Sequence, residues 1–144
     1  VSEEEEIARV VPIIEALSER LTIPISIDTY KERTAEAAIV AGAEIINDVW
    51  GAKKEPKIAE VAAKYEVPII LMHNRTNKQY DDLMAEMIVD LKESIAIAQH
   101  AGVRDEQIIL DPGIGFAKEL EDNFYVLGHL EQLMERLYLT RQRI

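Results

Sequence analysis

Apolar and polar positions follow two alternating periods along this chain, one suited to strands and one to helices. Ser2 and Glu5 stand in capping-box spacing, and Ile7, Val10, Val11, Ile14 and Leu17 then recur on one stripe, predicting a helix over 1–21. Residues 23–28 read as a strand ending at Asp28. Thr29 and Glu32 repeat the capping-box spacing and start a helix that runs to Ala41, with Gly42 as its cap. Its small face (Ala35, Ala37, Ala38, Ala41) suits close packing on a sheet. A second strand, 43–48, ends in Asn47 and Asp48. Pro56 fits the first turn of a helix that buries Ile58, Val61, Ala62 and Tyr65. Residues 67–72 form a third strand, with Pro68 near its start, where a missing N–H is tolerated. A polar loop over 73–78 leads to a long helix from Tyr80 to Ala101, which buries Leu83, Met87, Ile88, Leu91, Ile95 and Ala98 and is capped by Gly102. Residues 107–110 form the fourth strand, and Asp111, Pro112, Gly113 and Gly115 turn the chain sharply after it. The last helix is expected from Asn123 to Leu139, with Phe124, Leu127, Leu130, Leu133 or Met134, and Leu137 inward. The basic tail Thr140–Ile144 is expected to fray.

Strands alternating with helices give a parallel sheet with right-handed crossovers. Two architectures fit: a slice of a (β/α)8 barrel and an open doubly wound sheet. A dinucleotide fold needs G-x-G-x-x-G after its first strand. Here that strand is followed by Asp28-Thr-Tyr-Lys, and the glycine pair Gly113, Gly115 has Lys118 in the third glycine's place. A full barrel takes roughly 200–250 residues. The 144 residues therefore read as one partial domain, 1–144, of the α/β TIM-barrel class, with four βα units after a helix. Such a slice leaves two open edges, which invite association.

Composition narrows the function. The chain is 48% hydrophobic and 30% charged, ordinary for a globular protein. It has no Cys, which excludes disulfides, thiolate nucleophiles and zinc-thiolate sites. A net charge of -11 argues against nucleic acid, whose phosphates need Lys and Arg. No apolar run is long enough to span a membrane, and no leader is recognisable. The chain lacks an initial Met and reads as starting inside a longer one; a cytoplasmic address is the expectation. The Glu3–Glu6 run reads as a solvated first turn that complements the helix dipole, rather than as a metal site.

Three polar residues close strands: Asp28, Asn47 and Asp111. Ligands of α/β folds bind at strand C-terminal ends. One such residue alone could as well cap a helix or a turn. Three on one rim favour a ligand. Two carboxylates accept hydrogen bonds, and the amide both donates and accepts. That set suits a flat heterocycle with ring N–H, amine and carbonyl groups, and it would repel a phosphate. Met72 is either a core filler or an apolar wall against such a ring, and Phe116 either packing or a second wall. His73 has no assignable partner and reads as structural; His100 and His129 read as bystanders. Lys31, Arg75 and Lys118 lie nearest the rim and read as solvated surface charges. No Ser/His/Asp set, HExxH or phosphate-cradling loop is present, so chemistry here must use binding and electrostatics.

Five segments resemble the bacterial dihydropteroate synthase family: residues 1–14, Ile25-Ser-Ile-Asp28-Thr, Ala41 to Gly51, Leu71-Met72-His73-Asn-Arg, and Leu110-Asp111-Pro-Gly-Ile-Gly-Phe116. They stand in the family's order and spacing and cover residues 1 to 118. The resemblance implies a (β/α)8 barrel that condenses 6-hydroxymethyl-7,8-dihydropterin diphosphate with p-aminobenzoate in folate synthesis, a target of sulfonamides. It implies pterin contacts at Asp28, Asn47, Met72, Asp111 and Phe116. It also implies an electrostatic catalytic role for Asp28 toward a pterin cation, and a homodimer. Magnesium would come with the diphosphate, its protein ligand lying outside this chain. The family's Ser-Thr-Arg-Pro loop would precede Val1, and its Ser-Arg-Lys and Arg-x-His segments would follow Ile144. Ala117 stands where the family usually has glycine. The chain alone is therefore expected to bind pterin at most and to be inactive. Two alternatives are a self-associating half-barrel without activity and a methyltetrahydrofolate-type methyltransferase domain.

Overall fold

The computed structural model describes residues 1–138. Helix α1 (Glu3–Ser18) precedes strands β1 (Ser26–Asp28), β2 (Ile45–Asp48), β3 (Ile69–Met72) and β4 (Ile108–Asp111). Between the strands lie α2 (Glu32–Ala41), α3 (Lys57–Tyr65) and α4 (Leu83–His100); α5 (Leu120–Gly128) and α6 (Leu130–Tyr138) follow β4. The strands are parallel, in the order β1-β2-β3-β4. That order decides between the two architectures. A doubly wound sheet reverses its strand order at a switch point, whereas a barrel adds each strand beside the last. The chain is the expected partial barrel.

Register puts Ile27, Ile46, Ile69 and Ile108 opposite one another in one row, none more than 6% exposed. This row faces the helices, where Ala35, Ala38, Ile58, Ala59, Ala62 and Ala98 close the core. Alanine on α2 lets the helix approach the sheet closely. Successive side chains of a strand point to opposite faces. The next row, Asp28, Asn47, Ile70 and Ile109, therefore lines the other, open face, which would be the inside of a closed barrel. At the free edge of β4 an apolar groove of about 340 Å³ runs between α4 and α6, lined by Leu91, Ile95, Ile109 and Leu133 among others. Among the described residues, no ionisable side chain lines it.

Three sequence expectations are corrected. The capping box at Thr29 does not form: Lys31 is the N-cap of α2, without a side-chain bond. The Thr29 hydroxyl instead donates to Glu6 Oε1 (2.6 Å) and accepts from the Lys31 amide (3.2 Å). The acidic run is likewise not a merely solvated turn. Glu6 pairs with Lys31 (2.5 Å), and Glu3 and Glu4 pair with Arg33 (3.1 Å each), strapping α1 to α2. The last helix starts at Leu120 rather than Asn123 and breaks at His129, just after Gly128, a weak helix former. The break turns the expected face: Phe124 (67% exposed), Leu127 and Leu130 lie outward, and Val126 is the buried residue of α5. Leu133 and Leu137 point inward on α6, and Met134 outward. Leu139 and the tail 140–144 lie outside the described residues.

Candidate functional site

The three strand-ending polar residues share the open face. Asp28 and Asn47 are register partners, and Asn47 is in turn level with Ile70, and Ile70 with Ile109. Adjacent parallel strands lie about 4.8 Å apart, so two polar groups and two isoleucines form one continuous shelf. Asp111 is level with Met72, one pleat repeat above that shelf. Met72 thus ends its strand level with Asp111, one pleat repeat above the row of Asp28 and Asn47. Among the described residues, the side chains of Asp28 and Asn47 have no hydrogen-bond partner. Asp111 shapes the turn, its Oδ1 accepting from the Gly113 amide (2.7 Å). The shelf isoleucines, Ile70 and Ile109, were missed in the sequence. They stood inside apolar runs, and only register shows which face they take.

The Gly-rich loop folds back over the strand ends. Phe116 lies 43% exposed at its tip, its amide bonded to Gly113 O (3.0 Å). Met72, only 4% exposed, lies beneath Gly113. Met72 is therefore covered, and Phe116 is open to solvent. Ala117 sits at φ +47°, a left-handed conformation that explains why the resembled family places glycine there.

None of the three cations near the rim is the free surface charge expected. Lys31 is held by Glu6, and Arg75 by Asp90 (2.5 Å) and Glu86 (2.6 Å). Lys118 is 3% exposed, its Nζ 2.9 Å from Nδ1 of His73. His73, 1% exposed, meets Asp90 through Nε2 (3.0 Å). The partner that His73 lacked in sequence is thus a pair on distant elements, which no local spacing reveals.

Burial, and then the neighbouring Lys118 charge, push the His73 imidazole down from 6.5 to about 4. The folded protein therefore binds fewer protons than the unfolded chain between those values. This group's contribution is fully present above pH 6.5 and is lost as pH falls toward 4, by up to about 3 kcal/mol. Urea denaturation from pH 7 to 4 checks this. The stability of the natural protein should fall faster than that of His73→Gln, and parallel curves would contradict the assignment. Burial also raises the carboxyl of Asp48, which is fully enclosed and accepts from the amides of Trp50 (2.8 Å) and Ala52 (2.6 Å). Asp48 is thereby a loop fastener on the helix side of the sheet, not a ligand group.

Comparison with known proteins places this arrangement. The family model described as "Pterin binding enzyme" matches residues 1–140. The chain belongs to the pterin-binding enzyme family. Dihydropteroate synthase of Clostridium beijerinckii is 59% identical over 138 residues, covering 96% of this chain and 51% of the relative. That of Bacillus subtilis is 56% identical over 131 residues, covering 91% and 46%. Among solved structures, the Clostridium difficile dihydropteroate synthase, determined in the presence of pteroic acid, superposes with a TM-score of 0.91 at 44% identity. It covers 94% of this chain and 52% of that one. The Xanthomonas albilineans enzyme in complex with 7,8-dihydropteroate gives 0.88 at 41% identity, covering 94% and 51%. The chain thus spans about half the length of the relatives it matches.

Proposed function

We propose that this chain is the pterin-holding part of a dihydropteroate synthase. The single observation that carries the reading is the shelf of Asp28 and Asn47, with Asp111 one repeat above, on the face that a closed barrel would enclose. Its donors and acceptors match a pterin edge, and the relatives that this chain matches at 59% and 56% identity are dihydropteroate synthases. Ile70, Met72 and Phe116 supply apolar surface for the ring. In the proposed reaction the C–O bond of the substrate's methylene breaks as diphosphate leaves, and positive charge spreads into the pterin. The Asp28 carboxylate stabilises that charge. The p-aminobenzoate nitrogen then forms the C–N bond and gives up a proton.

Magnesium enters this scheme with the diphosphate. Its protein ligand would come from the part of the protein outside this chain. No described helix is long and apolar enough to cross a membrane, and a cytoplasmic homodimer belongs to the same proposal. The test is formation of 7,8-dihydropteroate from 6-hydroxymethyl-7,8-dihydropterin diphosphate and p-aminobenzoate, with magnesium. The full-length protein should form it and residues 1–144 alone should not. A full-length protein that instead transfers a methyl group from methyltetrahydrofolate would replace this reading.

A further inference from the structure

We propose that Lys118 is a positioning residue that clamps the Gly-rich loop to β3 and α4 through His73, and so holds Phe116 at the rim of the pterin face. Only the ligand-binding part of this inference rests on the pterin reading; the clamp stands on geometry. An ammonium group has three protons to donate. Those of Lys118 reach Gly113 O (3.1 Å), Phe116 O (3.1 Å) and His73 Nδ1 (2.9 Å). Nδ1 accepts only while unprotonated, which assigns the ring proton to Nε2. Nε2 donates to Asp90 Oδ2 on α4 (3.0 Å), which also accepts from Arg75 Nε (2.5 Å). The loop is thereby tied through Lys118, His73 and Asp90 to a long helix behind the sheet. Tyr80 adds a second tie, its hydroxyl donating to Ala117 O (2.7 Å). Without the ammonium, the Phe116 carbonyl loses this donor, and the Gly113 carbonyl keeps only the Phe116 amide.

The clamp is sensitive to pH. Lys118 faces His73 at the end of β3, Asp111 on β4, Asp122 on α5, Asp90 on α4, and Arg75 and Tyr80 in the intervening loop. Burial outweighs the attraction of the carboxylates and brings the Lys118 ammonium from 10.5 down to about 8. His73 titrates near 4, and burial raises Tyr80 above its ordinary 10. Carboxyl groups ordinarily titrate near 4 and guanidinium above 12. Between pH 7 and 9.5, Lys118 is therefore the member of this set that changes charge, and the neutral amine has one proton fewer to donate.

Hydrogen exchange of the full-length protein, read by mass spectrometry and corrected for base catalysis, tests the clamp. Protection of the peptide spanning residues 112–118 should fall at least tenfold between pH 7 and 9.5, while that of the β1–β3 peptides holds. In Lys118→Met the same peptide should be poorly protected at every pH. Binding of 6-hydroxymethylpterin should weaken at least fivefold in the variant at pH 7. The ratio of the two dissociation constants, which cancels the ligand's own titration, should approach 1 by pH 9.5. Unchanged loop protection in the variant, or no transition in the natural protein, would overturn the clamp. Should Lys118→Met fail to fold, the pH series on the natural protein decides alone. Loop protection that behaves as stated while no pterin binds would leave the clamp standing and reject the pterin reading instead.

Discussion

Gly113→Ala is expected to destabilise the protein by about 4 kcal/mol, adding left-handed strain to a severe overlap. Gly113 has φ +68°, and a Cβ built there would lie 2.1 Å from the carbonyl oxygen of His73. Real Cβ atoms never approach so closely, and backbone cannot rotate aside as a side chain can. The overlapped carbonyl ends β3, whose His73 amide donates to Asp111 O (2.9 Å), so relief would unzip the β3–β4 end that carries Met72 and Asp111. Gly115 provides the control. Its φ is +86°, yet a Cβ there meets nothing within 4 Å. Gly115→Ala should therefore cost only the backbone term, about 1 kcal/mol. Chemical denaturation of both variants separates the two effects; equal losses would refute the close-contact explanation.

Asp28→Asn in the full-length protein is expected to lower kcat about 10²–10³-fold, the usual loss when one electrostatic stabiliser of a charged transition state is removed. The amide keeps the shape of the side chain and removes its charge. Asp28 lies at the C-terminal end of β1, exposed on the open face. Its carboxylate has no internal cation to neutralise it among the described residues, so its field is available to a ligand. Enclosure in a whole barrel would strengthen that field, because charges interact more strongly away from water. The effect should fall on kcat more than on KM, since the charge it offsets develops only as diphosphate departs. A variant with unchanged kcat and a raised KM would reduce Asp28 to a binding group.

Much of this architecture was legible in the chain. Each strand ended where a β-branched run met a polar residue, so Asp28, Asn47 and Asp111 could be placed on one rim before any register was known. Alternation alone does not reveal the offset between strands, so neither the one-repeat step from Asp28 and Asn47 up to Met72 and Asp111 nor the face taken by Ile70 and Ile109 can be read from it. The polar network was illegible for another reason. Lys118 and His73 lie 45 residues apart, and Thr29 and Glu6 lie 23 apart. Local spacing rules assign such residues to solvent or to the nearest cap, and tertiary proximity overrides them. The split between α5 and α6 escaped because apolar residues at 124, 127, 130 and 137 continue a helical period straight across the break at His129. A strong period predicts helix well and says little about which face the core will take.

Calorimetric titration with 6-hydroxymethylpterin tests whether the open face carries a preorganised pterin site. The full-length protein should bind saturably, and Asp111→Asn should weaken binding more than tenfold, a loss of about 1.4 kcal/mol. The amide can still hold the Gly113 turn through its oxygen but offers the ring edge a donor in place of an acceptor. Equal binding by both proteins would contradict such a site and move the pterin off this face.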